Sequence, residues 1–148
     1  MKKLIALTVL LDLSGGVFAG EGWLTNLEKA KEIAKKENKL ILLEFTGSDW
    51  CPPCKLLKKN IFNKSEFKEY AAKKLVLVEL DFPRRENRKN VSKEQAAYNR
   101  KLAREFKVSG YPTVFVLNAK GTQLLKQVGY PRLSVTGYLK KLDDARFQ

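Results

Sequence analysis

The stretch Leu40-Ile41-Leu42-Leu43-Glu44-Phe45-Thr46-Gly47-Ser48-Asp49-Trp50-Cys51-Pro52-Pro53-Cys54-Lys55-Leu56-Leu57 carries the deciding pattern. Leu40 to Phe45 is a short β-rich apolar run broken only by Glu44, which suits a strand covered on both faces. After Cys51 a helix begins and runs through Leu56 and Leu57 towards Asn60. A cysteine at that junction lies near backbone N–H groups without intrahelical partners and near the positive end of the helix dipole. Both favour thiolate over thiol, and the thiolate is the nucleophile. Pro53 in the first helical turn sacrifices little, because those N–H groups lack intrahelical partners anyway. Pro52 and Pro53 together restrict the backbone between the two sulfurs.

The chain holds two cysteines and no histidine. The spacing C-x-x-C also marks zinc sites, but a structural zinc wants four ligands drawn mainly from cysteine and histidine. No metal is therefore expected, leaving only a carboxylate-completed or intermolecular site as an alternative. A purely structural disulfide is a second alternative, although so small a loop gains little from cross-linking. The redox reading gives each sulfur a task. Cys51 thiolate attacks a disulfide in another protein, and Cys54 then attacks Cys51 to release the product. The sulfurs carry the electron pair, so no cofactor is called for. Cys54, one helical turn further in, is expected to be less exposed and more weakly acidic.

Outward from this stretch, helical and strand patterns alternate. Thr25-Asn26-Leu27-Glu28 has the form of a capping box with Thr25 as the cap, and Leu27, Ala30, Ile33 and Ala34 follow at helical spacing. A second helical piece covers Ser65 to Lys73, and Leu75 to Leu80 is the next buried strand. Asp81 to Val91 reads as a loop. Ser92-Lys93-Glu94-Gln95 is another capping box, opening a helix with Tyr98, Leu102 and Phe106 on one face. Thr113 to Leu117 and Thr122 to Val128 flank Asn118-Ala119-Lys120-Gly121, a hairpin signal. A last helix aligns Val135, Tyr138, Leu139 and Leu142. The order predicts one α/β domain over residues 23–145, a mixed sheet flanked by helices on both faces.

The first residues read as targeting. Lys2 and Lys3 precede the apolar run Leu4 to Leu11, and Val17-Phe18-Ala19 offers a cleavage site before Gly20. Residues 1–19 are thus expected to be a signal peptide, with an uncleaved anchor as the alternative. Asp12 interrupts the run, and a charge at a membrane centre costs roughly 2.5–3.5 kcal/mol on insertion scales, so no stable membrane span is expected. The location that follows is periplasmic or secreted. The net charge is +13, and Arg84, Arg85, Arg88 and Lys89 form the tightest basic cluster, in the long loop. Such a cluster can attract an acidic client, an anionic membrane surface or nucleic acid; the plainer reading is a solvated face that keeps the protein soluble. No aromatic residue interleaves with it and an exported protein seldom meets nucleic acid, so nucleic acid is not an expected partner.

The run from Leu42 to Lys55, with its W-C-x-x-C-K core, resembles the thioredoxin superfamily. Gly110-Tyr111-Pro112-Thr113 resembles the loop whose proline is cis and faces the cysteines in that family. The two motifs stand in the family's order, and the likeness is nearest to secreted bacterial thioredoxin-like thiol–disulfide oxidoreductases. The resemblance implies a cis Pro112, Tyr111 offering backbone hydrogen bonds to an extended client, and Trp50 covering the active-site surface. It also implies that Glu44 is a buried acid accepting the proton of Cys54; the other reading is a carboxylate turned to solvent. Protein disulfide or dithiol clients and a membrane electron-transfer partner are implied in the same way.

The chain departs from the pattern in places. One extra residue separates Glu44 from Cys51, and Leu77 stands about where many thioredoxins place a lysine that pairs with the acid. A client-binding or chaperone-like module on the same scaffold is the rival reading. The complete W-C-x-x-C-K run beside Tyr111-Pro112 argues against it.

Overall fold

The structure, a computed structural model, describes residues 18–20, 22–84 and 89–147. Residues 1–17, most of the stretch read as a leader, lie outside the described residues, as do Arg85 and Arg88 of the basic cluster. The elements are β1 (Phe18–Gly20), β2 (Trp23–Leu24), α1 (Leu27–Glu37), β3 (Leu40–Thr46), α2 (Pro52–Leu57) with a π-turn (Lys58–Phe62), α3 (Ser65–Lys74), β4 (Leu75–Asp81), α4 (Lys93–Glu105), β5 (Thr113–Leu117), β6 (Gln123–Val128) and α5 (Val135–Arg146).

The six strands form one sheet in the order β1-β2-β4-β3-β5-β6. β2 and β3 run parallel to β4, while β5 lies antiparallel to β3 and β6 antiparallel to β5. The mixed sheet expected from sequence is therefore present, with the short strands β1 and β2 added at one edge. Two and three residues are too few for an alternating pattern to show.

Alternation along the central strands splits the interior into two layers. Ile41, Leu43 and Phe45 of β3, with Val76, Val78 and Leu80 of β4, pack against Leu27, Ala30 and Ala34 of α1 and Leu102 of α4. Leu42 points the other way, into a layer with Leu57, Ile61, Phe62, Phe67, Tyr138 and Leu142. Each such side chain removed from water contributes roughly 1.5–3 kcal/mol. By the same alternation Glu44 and Thr46 face the α2 side. Glu79, the register partner of Glu44 on β4, faces that side as well.

Local chemistry sets the helix ends. Asn26, one residue later than expected, caps α1: its Oδ1 accepts the Lys29 N–H at 2.9 Å. Asparagine competes at least as well as serine or threonine for that role, while the Thr25 carbonyl accepts the Gln95 side-chain amide at 2.9 Å. Asn38 ends α1 in the left-handed region at φ 54°, as a C-terminal cap often does. Ser92 caps α4 as expected, but Gln95 does not reach back; it turns to Thr25 and Asn99. The helix expected to run evenly from Cys51 to Asn60 instead widens at Lys58, where the Asn63 N–H bonds to the Lys58 carbonyl at 2.8 Å. The extra residue in that turn lets both Ile61 and Phe62 point inward. No helix among the described residues is long and apolar enough to cross a membrane.

Removing the cap tests the corrected helix start. Asn26→Ala should lower the unfolding free energy by about 1 kcal/mol, read as an earlier urea midpoint at unchanged slope; an unmoved midpoint would place the cap elsewhere.

Candidate active site

β3 ends at Thr46, and within five residues the chain must reach Cys51, the N-cap of α2. Gly47 accepts the N–H of Trp50 at 3.3 Å and of Cys51 at 3.0 Å through its carbonyl, closing a tight turn. A Cβ at Gly47 would overlap the Trp50 indole, so only glycine lets the ring fold over the backbone there. The turn is latched to the end of β4 by several bonds. Asp81 accepts the Ser48 N–H at 2.9 Å and the Ser48 hydroxyl at 2.6 Å. The Phe82 N–H bonds to the Thr46 carbonyl at 2.8 Å, and the Asp49 carboxylate accepts the Arg84 N–H at 3.2 Å. The extra residue before Cys51 is thus absorbed in a braced turn.

Cys51 is the N-cap of α2, with prolines filling the next two positions. Its Sγ accepts the Cys54 N–H at 3.3 Å, so the sulfur takes one of the orphan donors of the helix start. Cys51 and Cys54 are joined as a disulfide, with Cα atoms 5.2 Å apart. Both residues are only 2% exposed. The difference in burial expected between them is therefore absent in this disulfide form. Pro52 is exposed and Pro53 half-buried.

The Tyr111–Pro112 peptide bond is cis, as the resemblance implied. The Pro112 carbonyl accepts the Gly129 N–H at 2.8 Å, and Thr113 Oγ1 donates to the Gly110 carbonyl at 2.7 Å, fixing the loop on both sides. Tyr111 meets Trp50 edge to face, ring centroids 5.9 Å apart. Trp50 Nε1–H in turn donates to the Phe82 carbonyl at 2.7 Å. Trp50 is half-buried and joins the cysteine turn, the cis-proline loop and the end of β4.

Glu44 lies inside, only 1% exposed; the solvent-facing alternative is excluded. Burial, then the neighbouring Glu79 carboxylate and Asp81, pushes its pKa up to about 8, against the opposing pull of Lys58 and a hydrogen bond with Thr46. Lys58 Nζ bonds Glu79 at 2.9 Å. Partial burial works against the ammonium charge, but Glu79, followed by Glu44 and Asp81, outweighs it and holds the Lys58 pKa above its ordinary value. Sequence reasoning missed Glu79 and Lys58. The signal was available for Glu79, which interrupts β4 at the position where Glu44 interrupts β3. Lys58 occupies the electrostatic role that Leu77 leaves open, reaching it from the π-turn instead of a strand.

A small pocket of about 190 Å³ lies beside the dithiol, with Thr46, Ser48, Cys54, Lys55 and Lys58 in its wall. Thr46 also bonds Glu44. No group of three or more metal-ligating side chains occurs among the described residues.

A thioredoxin-like domain family model matches residues 27–145. The chain belongs to the thioredoxin-like family. It is 36% identical over 117 residues to disulfide bond reductase DsbH of Chlamydia pneumoniae, a match spanning 79% of this chain and 68% of that protein. It is 35% identical over 114 residues to thioredoxin H4 of Arabidopsis thaliana, spanning 77% and 76%. A solved DsbH oxidoreductase structure superposes with a TM-score of 0.75 at 30% identity, covering 97% of this chain and 94% of the other. Poplar thioredoxin h, at a TM-score of 0.58 and 20% identity over 82% of this chain and 92% of its own, shares the fold. With its paired Cys51 and Cys54, this thioredoxin-like protein is a thiol–disulfide oxidoreductase.

The raised pKa of Glu44 has a measurable consequence. The folded protein holds that proton up to about pH 8, whereas the unfolded chain releases it near pH 4.3. The folded state then binds more protons, so stability is full below the unfolded pKa and falls as pH rises through that window, by up to about 1.4 kcal/mol per unit. The chain has no histidine to mask the effect. Urea unfolding of the disulfide form at pH 5 and pH 8 should show this loss, and Glu44→Gln should abolish most of it; equal pH slopes in both proteins would contradict the assignment.

Proposed function

We propose that this protein is an exported reductase or isomerase of protein disulfides, with Cys51 as attacking and Cys54 as resolving sulfur. The observation that carries the assignment of roles is the Cys51 Sγ at the N-cap of α2, accepting the Cys54 N–H. In the reduced protein that donor and the helix dipole favour a thiolate on Cys51. The thiolate attacks one sulfur of a client disulfide, forming a mixed disulfide and releasing the other client sulfur as thiolate. Cys54 then loses its proton and attacks the Cys51 sulfur, closing the protein disulfide and expelling the second client thiolate. Two electrons pass to the client.

Glu44 is the proton acceptor for Cys54 by way of Thr46, which bonds Glu44 and shares a pocket wall with Cys54. A pKa of about 8 lies close to that of an ordinary thiol, about 8.5, so the transfer costs little in either direction. Trp50, Tyr111 and cis Pro112 form the face against which an extended client segment lies.

The direction rests on two supports. The Chlamydia relative is named as a disulfide bond reductase, and Pro52-Pro53 provides no histidine between the cysteines to stabilise the thiolate further. Residues 1–19 act as a signal peptide and send the chain to the periplasm or beyond. A reductant in an oxidising compartment needs electrons from outside, and a membrane electron-transfer protein is the partner that supplies them.

Trapping distinguishes the two sulfurs. Cys54→Ser should accumulate mixed disulfides with client proteins through Cys51, visible as DTT-sensitive adducts, and Cys51→Ser should accumulate almost none. Adducts on the Cys51→Ser variant alone would reverse the roles.

A further inference from the structure

Away from the dithiol, a groove of about 860 Å³ lies between Phe82 and Pro83, just after β4, and helix α4. Phe82 and Pro83 provide an apolar floor, and Lys89, Lys93 and Arg100 stand along its sides. These three cations are exposed, and none takes part in an ion pair among the described residues. Among the described residues Asp81 is the one acid in the lining, and its two oxygens are already engaged by Ser48. Among the described residues, the groove thus presents positive charge outside any ion pair over an apolar base.

It is also continuous with the client face. The Phe82 carbonyl receives the Trp50 indole N–H, and the Phe82 ring packs on Tyr111 with centroids 5.2 Å apart. A polypeptide crossing Tyr111 and Trp50 towards Cys51 therefore meets the groove through Phe82. We propose that the groove binds an acidic segment of the client polypeptide, adjoining the disulfide being exchanged. This deepens the disulfide-exchange reading above and rests on it. Asp and Glu side chains pair with Lys89, Lys93 and Arg100, while apolar side chains between them lie on Phe82 and Pro83. Partly desolvated charge of this kind selects partners and speeds encounter, and it weakens as salt rises.

The test separates the groove from the overall charge and from the redox step. A fluorescein-labelled, cysteine-free peptide of alternating Glu and Leu is titrated with the protein and followed by anisotropy at low and physiological salt. Lys93→Glu/Arg100→Glu should weaken binding by about tenfold or more. Lys36→Glu/Lys120→Glu, an equal charge change at exposed positions on α1 and the β5–β6 turn, should change it by less than about threefold, as expected for a screened long-range field. Equal losses in the two variants would overturn the proposal in favour of bulk electrostatics. A single-stranded oligonucleotide that binds more tightly than the peptide, and loses that binding in the groove variant, would overturn it in favour of nucleic acid. Reduction of hydroxyethyl disulfide, small and uncharged, reads the dithiol separately and should proceed equally in wild type and the groove variant. Failure of wild type there, with peptide binding intact, would sink the exchange reading and leave the acidic-peptide site standing.

Discussion

The sulfur of Cys51 sits where β3 has just ended and α2 is beginning, and it accepts the Cys54 N–H at 3.3 Å. That placement depends on several elements at once. The strand must stop at Thr46, Gly47 must admit the Trp50 ring, and Ser48 and Asp49 must be held by Asp81 and the Arg84 backbone. The two central parallel strands fix both ends of this arrangement, since the latch joins the loop after β3 to the end of β4. A helix start alone polarises a sulfur weakly. A helix start held rigidly, with its first N–H aimed at the sulfur, does so in every molecule.

Beneath the dithiol the protein retains two carboxylates and a lysine where apolar side chains would pack more cheaply. Glu44 and Glu79 are register neighbours on β3 and β4, 1% and 7% exposed. Removing charge from water is costly unless it is paired. The chain answers by pairing Glu79 with Lys58 at 2.9 Å and by leaving Glu44 protonated near neutral pH. The π-turn is part of that answer, because it begins at Lys58 and closes with the Asn63 N–H on the Lys58 carbonyl. Turns of this kind recur at functional sites. The arrangement trades stability at alkaline pH for an acid poised to titrate close to an ordinary thiol.

Much of the fold was legible because its central strands are apolar runs of six or seven residues and its helices carry regular apolar faces. The dithiol was legible because two cysteines and no histidine leave few alternatives. The cis bond before Pro112 was not physically legible. An X-Pro bond is cis in only about 5–6% of cases in folded proteins, and only the likeness of Gly110-Tyr111-Pro112-Thr113 to a known loop pointed to it. The cap at Asn26 was misplaced by one residue because the capping-box spacing from Thr25 to Glu28 outweighed the better capping side chain next to it. Lys58 was invisible as a partner of Glu79, since pairing across a helix and a strand has no sequence period. The basic loop was noticed as charge, but its groove depends on Phe82 and α4, which only the tertiary structure brings together.

The central claim is that this dithiol cycles reversibly at a potential suited to giving electrons to client disulfides. Equilibrating the Cys51–Cys54 pair against graded ratios of reduced and oxidised glutathione or DTT, and reading the fraction of free thiol, measures it directly. The account predicts a value near the −270 mV of thioredoxin. A value near the −120 mV of a strong oxidant such as DsbA, or a disulfide that does not respond to either couple, would contradict it.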